Sequence, residues 1–135
     1  MANLKEFYEK VTGQGHYETR TNYEVQSRIN EITNNIRDYN SLKSQISSLA
    51  TTLDECSMNL ANSYRAASDA LKIGDASFND NMLKIQNVSN NMKSAAENLR
   101  NLIATINSEI SSLESEKASL EPKVTYQVWV SDRNV

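Results

Sequence analysis

Two long series of apolar residues, each spaced by steps of three and four, constrain the fold of this chain more than any other feature. Residues at this spacing lie along one stripe of an α-helix. The first series is Val25, Ile29, Ile32, Ile36, Tyr39, Leu42, Ile46, Leu49, Leu53, Cys56, Leu60, Tyr64, Ala67 and Leu71. The second is Phe78, Met82, Ile85, Val88, Met92, Ala95, Leu99, Leu102, Ile106, Ile110, Leu113 and Leu120. They predict one helix from Tyr17 or Thr21 to about residue 72, and another from about residue 76 to residue 121.

The sequence between the two series, ALKIGDASFNDNML, predicts a turn near residues 72–77. Gly74 is the only glycine beyond residue 15, and helices commonly end at a glycine in the left-handed conformation. Asp75 or Ser77 is suited to accept hydrogen bonds from the first amides of the next helix, where Phe78 is the first apolar residue. A narrow apolar stripe would leave a lone helix unstable in water. The predicted fold class is therefore all-α, a long antiparallel helical hairpin similar to a coiled coil.

A short helix is predicted before the hairpin. Leu4, Tyr8 and Val11 share one helical face. Gly13 and Gly15 follow, and each costs about 1 kcal/mol relative to alanine inside a helix. Residues 1–16 are therefore predicted to form an N-terminal helical arm that ends in a hinge.

The hairpin is predicted to occupy residues 17–121. Thr21 and Glu24 have the spacing of a capping box, which either starts the first long helix or lies inside a helix that starts at Tyr17. At the other end, Pro122 removes an amide donor and disfavours helical geometry at the residue before it. The second long helix is therefore expected to end at Glu121.

The C-terminal residues 122–135 are predicted to be an extended or strand-like tail, because apolar and polar residues alternate there. One strand cannot form a sheet. It adds to a partner's sheet, pairs with a second copy, lies along the hairpin or stays disordered. Trp129 is the only tryptophan, and with Tyr126 and Val128 it forms a candidate partner interface. The alternative is that these residues pack on the hairpin of their own chain.

Charge and hydropathy exclude several classes of function. The net charge is −3, and Lys and Arg are scattered along the chain, so we expect no nucleic-acid partner. No run of about 18 apolar residues occurs, so no membrane span is expected. Lys5 and Glu6 lie where a signal peptide would be apolar. We expect a protein made in the cytoplasm, for which export without a cleaved signal peptide stays open.

No set of residues predicts catalysis or a cofactor site. His16 is the only histidine and lies in the predicted hinge. Cys56 belongs to the first apolar series, which is predicted to be buried, and a buried thiol is unreactive. The acidic residues are expected on solvated helix faces; they are Asp54, Glu55, Glu114, Glu116 and Glu121. We therefore expect no enzyme, no metal ion and no organic cofactor.

The turn sequence Gly74–Phe78 resembles a degenerate Trp-x-Gly turn of the WXG100 family, the small helical-hairpin proteins of type VII secretion systems. Gly74, Ala76 and Phe78 match that turn, whereas Lys72 occupies the tryptophan position. The helices, rich in Ser, Asn and Leu, are similar to those of small accessory proteins encoded with LXG-type secreted toxins. The resemblance implies a non-enzymatic targeting factor or chaperone that packs beside a partner's helices.

Asn and Ser on the polar helix faces replace the Glu and Lys pairs that stabilise a self-sufficient helix, so we expect further packing against a helical protein or a second copy. A self-associating structural coiled-coil protein of a phage or cell-surface assembly is the alternative function.

Overall fold

The computed structural model describes residues 4–71 and 76–132. In chain order the elements are α1 (Leu4–Thr12), β1 (Gly15–Thr21), α2 (Tyr23–Leu71), α3 (Ala76–Leu120), a 3₁₀ turn (Glu121–Lys123) and β2 (Thr125–Ser131). The two long helices, the short N-terminal helix and the end of α3 before Pro122 confirm the sequence predictions. Of the predicted turn residues, Gly74 and Asp75 lie outside the described residues, and Phe78 lies half-buried in the first turn of α3.

The start of the first long helix differs from the prediction. Tyr17 belongs to a strand, and α2 begins at Tyr23. The Asn22 side-chain oxygen accepts a hydrogen bond from the Val25 amide at 3.3 Å, so Asn22 is the N-cap in place of Thr21. Asparagine caps as well as threonine does, and the capping-box spacing alone did not distinguish them.

A two-stranded antiparallel sheet corrects both the all-α fold class and the expectation that the C-terminal strand has no partner in this chain. β2 pairs with β1 over its whole length, from Gly15 opposite Ser131 to Thr21 opposite Thr125. The strand β1, with the sequence GHYETRT, lacks alternating apolar residues. Its pairing with β2, more than a hundred residues later, stabilises an extended conformation that its own sequence does not predict.

The chain divides into two compact units. One, the sheet unit, contains Met1–Asn35 and Ser112–Val135, and the other, the hairpin unit, contains Ile36–Ser111. In the sheet unit, α2 and α3 pack through buried Ile29, Ile32 and Leu113.

The sheet unit begins with α1, which ends at a turn made by glycine. Gly13 has a φ of 70°, and the Gln14 amide donates to the Glu9 carbonyl at 2.9 Å. This is the bonding of a helix end closed by a left-handed glycine. The predicted hinge is thus a defined turn in which Gly13 ends α1 and Gly15 begins β1.

In the hairpin unit, α2 and α3 run antiparallel around a core of isoleucines. Ile46, Ile106 and Ile110 are buried together, and half-buried Ile36, Tyr39, Leu99 and Ile103 pack against them. Further along α2, Ser57 contacts Ser89. The Ser57 hydroxyl donates to the Ser89 carbonyl and the Ser89 hydroxyl to the Ser57 carbonyl, each at 2.8 Å. Hydroxyl groups that reach the opposite backbone place the two helices close together here.

The buried stripe of each helix is shifted by one residue from the prediction over part of its length. Ala50 and Ser57 are buried in α2, where Leu49 and Cys56 were predicted. In α3, Ser89 is buried where Val88 was predicted, and Ala96 is fully buried. Helices this close admit only small side chains between them, so the larger neighbours remain outside. The prediction that Cys56 is buried is wrong, because Cys56 is exposed.

Candidate interaction surfaces

A buried carboxylate joins α1 to the sheet. Glu9 is 1% exposed; one of its oxygens accepts a hydrogen bond from the Trp129 indole nitrogen and the other from the Ser131 hydroxyl, each at 2.7 Å. The Lys5 ammonium lies 4.0 Å from the same carboxylate. Charge-assisted hydrogen bonds of this length are among the stronger polar contacts in proteins. Glu9 therefore holds the helix on the face of the sheet that carries Trp129.

Trp129 also belongs to an aromatic cluster with Tyr17 and Lys10. The Tyr17 and Trp129 rings meet edge to face with centroids 5.2 Å apart, and the Lys10 ammonium lies 5.0 Å from one centroid and 5.5 Å from the other. The Glu6 carboxylate and then Tyr17 raise the pKa of Lys10. A Cβ on Gly15 would lie 2.6 Å from Trp129 Cε2, so Gly15 leaves the space that the indole occupies. The cluster depends on residues of three elements.

The three predicted partner-interface residues lie on β2, and the structure gives them different surroundings. Trp129 and Val128 are half-buried, whereas Tyr126 is exposed. Trp129 packs against α1 and β1 of its own chain. Contact of these residues with a partner stays a prediction.

Anchoring through Glu9 turns the apolar face of α1 outward. Leu4, Phe7, Tyr8 and Val11 occupy one helical face, and all four are exposed, from 49% for Tyr8 to 86% for Leu4. The sequence predicts that Leu4, Tyr8 and Val11 share a face, but nothing in the pattern indicates that an acidic residue is buried in their place. The result is an exposed apolar face of four large side chains.

A groove separates α1 from β2. Lys5, Glu6 and Glu9 line one wall, and β2 lines the other through the segment 126–129 and Ser131. Tyr17 of β1 completes the lining, and the groove has a volume of about 610 Å³. Alternate residues of a strand point to opposite faces, so a groove that touches consecutive residues of β2 lies along the edge of the strand.

His16, predicted in an exposed hinge, is an exposed residue of β1 that bridges two carboxylates. Its Nε2 lies 3.0 Å from Glu18 and its Nδ1 lies 3.0 Å from Asp132. Glu18 and then Asp132 raise the pKa of His16. His16 and then Arg20 lower the pKa of Glu18. The arrangement ties the end of β2 to β1 when both ring nitrogens carry protons.

The hairpin unit has a continuous apolar side, which we call the apolar stripe. It consists of Leu49, Cys56, Val88 and Ala95, each of which precedes a buried residue, and of Leu42 and Leu102, which lie seven residues before Leu49 and seven after Ala95. In antiparallel helices these preceding residues lie on the same side of the pair. The four large members, Leu42, Leu49, Val88 and Leu102, are 43–51% exposed. An aligned set of this kind is unusual on the surface of a lone hairpin.

The opposite side of the hairpin unit is polar. Asp54 on α2 pairs with Arg100 on α3, and exposed Ser47 and Asn107 lie on the same side. This difference between the two sides was not predicted, because the spacing places Leu49 and Leu102 on the buried stripe. Strict alternation of three- and four-residue steps, as in Ile46, Ala50, Leu53 and Ser57, would have identified it.

Of the acidic residues predicted on solvated faces, Asp54 and Glu116 form ion pairs, and Glu55, Glu114 and Glu121 are exposed. In the sheet unit, Arg28 makes two hydrogen bonds to Glu116, at 2.9 and 2.7 Å, which raise the pKa of Arg28 and lower that of Glu116. Within residues 4–71 and 76–132, no three His, Cys, Asp or Glu side chains are grouped to hold a metal ion.

None of the helices in the described part of the chain is long and apolar enough to cross a membrane. No protein-family model, curated protein sequence or solved structure matches the chain.

Proposed function

We propose that the protein is a non-enzymatic helical partner protein whose hairpin packs side by side with helices of another protein. The observation that carries this proposal is the apolar stripe. A helix packed against the stripe would cover Leu42, Leu49, Val88 and Leu102 together, and each of these side chains is about half exposed in the hairpin alone. Covering such side chains stabilises a complex by roughly 25 cal/mol for each Å² of apolar surface removed from water.

The apolar face of α1 supports the same function. Leu4, Phe7, Tyr8 and Val11 have the i, i+3, i+4, i+7 spacing with which a helix fits an apolar groove. Two such surfaces on one chain favour a protein that acts by contact. The resemblance of the turn sequence to WXG100 proteins adds the cellular role: a targeting factor or chaperone for an LXG-type effector of a type VII secretion system.

Co-expression with the protein encoded by the neighbouring open reading frame, followed by size-exclusion chromatography, tests the proposal. We expect a stable hetero-complex with the wild type. Leu49→Glu with Leu102→Glu, on the apolar stripe, should abolish it. The control Ser47→Glu with Asn107→Glu places the same charges on the polar side and should leave the complex intact. A homo-oligomer that ignores the neighbouring protein would favour the alternative, a self-associating structural coiled-coil protein.

A further inference from the structure

The hydrogen bonds at the two ends of the sheet define which groups of β2 face β1. The Asn22 amide donates to the Val124 carbonyl at 2.6 Å, and the Asp132 amide donates to the Gln14 carbonyl at 2.8 Å. Bonding alternates along an antiparallel pair, so the even-numbered residues of β2 direct their amides and carbonyls toward β1.

The odd-numbered residues of β2 direct their backbone groups to the outer edge of the sheet. At this edge, the backbone groups of Thr125, Gln127 and Trp129 form no hydrogen bond with another described element. The outer edge of β2 is also the edge that the groove beside α1 follows. An additional strand in the groove would supply acceptors and donors to these groups.

The two strands differ in their protection against strand addition. β1 carries Glu18, Arg20 and the bridging His16, and charged side chains are a common way to discourage pairing at an edge. β2, with the sequence TYQVWVS, has no charged residue, no proline and no glycine. The outer edge of β2 is therefore better suited than that of β1 to pairing with an additional strand.

We propose that the outer edge of β2 binds an extended segment of a partner protein as a third strand, with α1 as the second wall of the groove. Lys5 is the most exposed charged side chain of that wall, at 55%; the Glu6 side chain is 29% exposed and pairs with Lys10, and the Glu9 side chain is 1% exposed. The bound segment therefore carries an acidic side chain toward Lys5. On the opposite face of the sheet it carries uncharged β-branched residues beside Val128 and Val130.

A second copy of the chain fits this edge less well than a bare segment. Antiparallel pairing of β2 with its own copy keeps both helices α1 on the same face of the joined sheet. The copy's α1 would then bring a second helix to the face on which Lys5 and Glu6 line the groove. A segment without an attached helix avoids this overlap.

The inference goes beyond the proposed function, because the groove lies in the sheet unit and binds extended chain. Substitutions on the apolar stripe leave the groove unchanged, so each of the two proposals can fail without the other.

Random heptapeptides displayed on phage, selected on the full chain, provide the probe, since β2 has seven residues. We expect selected peptides to be rich in β-branched residues and to contain an acidic residue. Amide hydrogen exchange measured by NMR should show new protection at Thr125, Gln127 and Trp129 when a selected peptide is bound. The amides of Tyr126 and Val128, which face β1, should be protected with or without peptide.

Two variants sharpen this test. Gln127→Pro removes an outward amide, which an edge strand tolerates, and should weaken peptide binding about tenfold or more. Its Trp129 fluorescence should match the wild type, which checks that the sheet is intact. Lys5→Glu should reverse the selection, so that basic residues replace acidic ones.

Three results would overturn the proposal: no peptide enriched above background, selected peptides that protect none of the three outward amides, or equal affinity for an intact Gln127→Pro variant. In the absence of peptide, these amides could also become more protected as the protein concentration rises. That result would assign the edge to a second copy of the chain and would also refute the proposal.

Discussion

The hairpin unit and the sheet unit are stabilised in different ways. The hairpin unit repeats small contacts along two helices, among them the buried Ile46, Ile106 and Ile110. The sheet unit joins α1, β1 and β2 through Glu9 and the side chains that bond to it. The stability of the hairpin unit therefore depends on many positions, whereas that of the sheet unit depends strongly on one buried carboxylate. Substitutions should therefore have graded effects in the first unit and a concentrated effect in the second.

The largest effect is expected where a charge is forced between the two long helices. Ala96 is fully buried. Ala96→Asp places an unpaired carboxylate there and should lower the free energy of unfolding by about 3–5 kcal/mol. The control is the adjacent Ala95→Asp on the half-buried apolar stripe, which should cost about 1 kcal/mol or less. Urea denaturation followed by circular dichroism measures both. Equal losses for Ala95→Asp and Ala96→Asp would contradict the position of the buried stripe.

The second effect tests whether the sheet unit depends on one carboxylate. Glu9→Ala removes two charge-assisted acceptors and should cost about 3 kcal/mol in the sheet unit. Trp129 fluorescence should shift to longer wavelength while far-UV circular dichroism still reports two long helices. Glu9→Gln keeps an acceptor oxygen and should lose less. If Trp129 emission in Glu9→Ala matched the wild type, Glu9 would not be the anchor.

A smaller effect is expected at the serine contact of the hairpin unit. Each hydroxyl makes its own hydrogen bond to the opposite backbone, so Ser57→Ala and Ser89→Ala should each cost about 1 kcal/mol. Exposed Ser47→Ala is the control and should cost little. Thermal melts of the single and double variants show whether the two losses add. A stabilised Ser57→Ala variant would mean that this polar contact weakens the hairpin.

The smallest effect is a pH dependence at His16. Glu18 and then Asp132 raise its pKa above the unfolded value of about 6.5. The stabilisation is therefore complete below about pH 6.5 and is lost as the pH rises through the raised pKa. The melting temperature of the wild type should fall over this range relative to that of His16→Gln, in proportion to this loss. Parallel pH profiles for the two proteins would show that the bridge contributes nothing to stability.

Much of the helical architecture was predictable from the sequence, because periodicity is a repeated signal. The end of α3 before Pro122 and the strand pattern of β2 were also predictable from local chemistry. The register error at Leu49 and Cys56 has a physical origin. Either of two adjacent positions satisfies a step of three or four. Hydrophobicity favours the larger apolar residue for burial, whereas helices packed this closely admit the smaller one.

The sheet and its anchor were not predictable from local sequence. The strand β1 has no apolar alternation, and its conformation depends on a partner strand far along the chain. The burial of Glu9 beside the exposed Leu4 and Val11 reverses the usual orientation of a short amphipathic helix. The Trp129 and Ser131 donors opposite its carboxylate account for that reversal.

The reactivity of a single thiol tests the central claim, that Cys56 lies on an exposed apolar stripe while Ser57 is buried between the helices. The measurement is the rate of reaction with a chromogenic disulfide reagent in native buffer and in urea, at low protein concentration. Wild-type Cys56 should react at similar rates in both. In the double variant Cys56→Ser with Ser57→Cys, the native thiol should react on the order of 100-fold more slowly than in urea, because the helices must separate first. A protected native Cys56 together with a freely reactive thiol at position 57 would contradict the account.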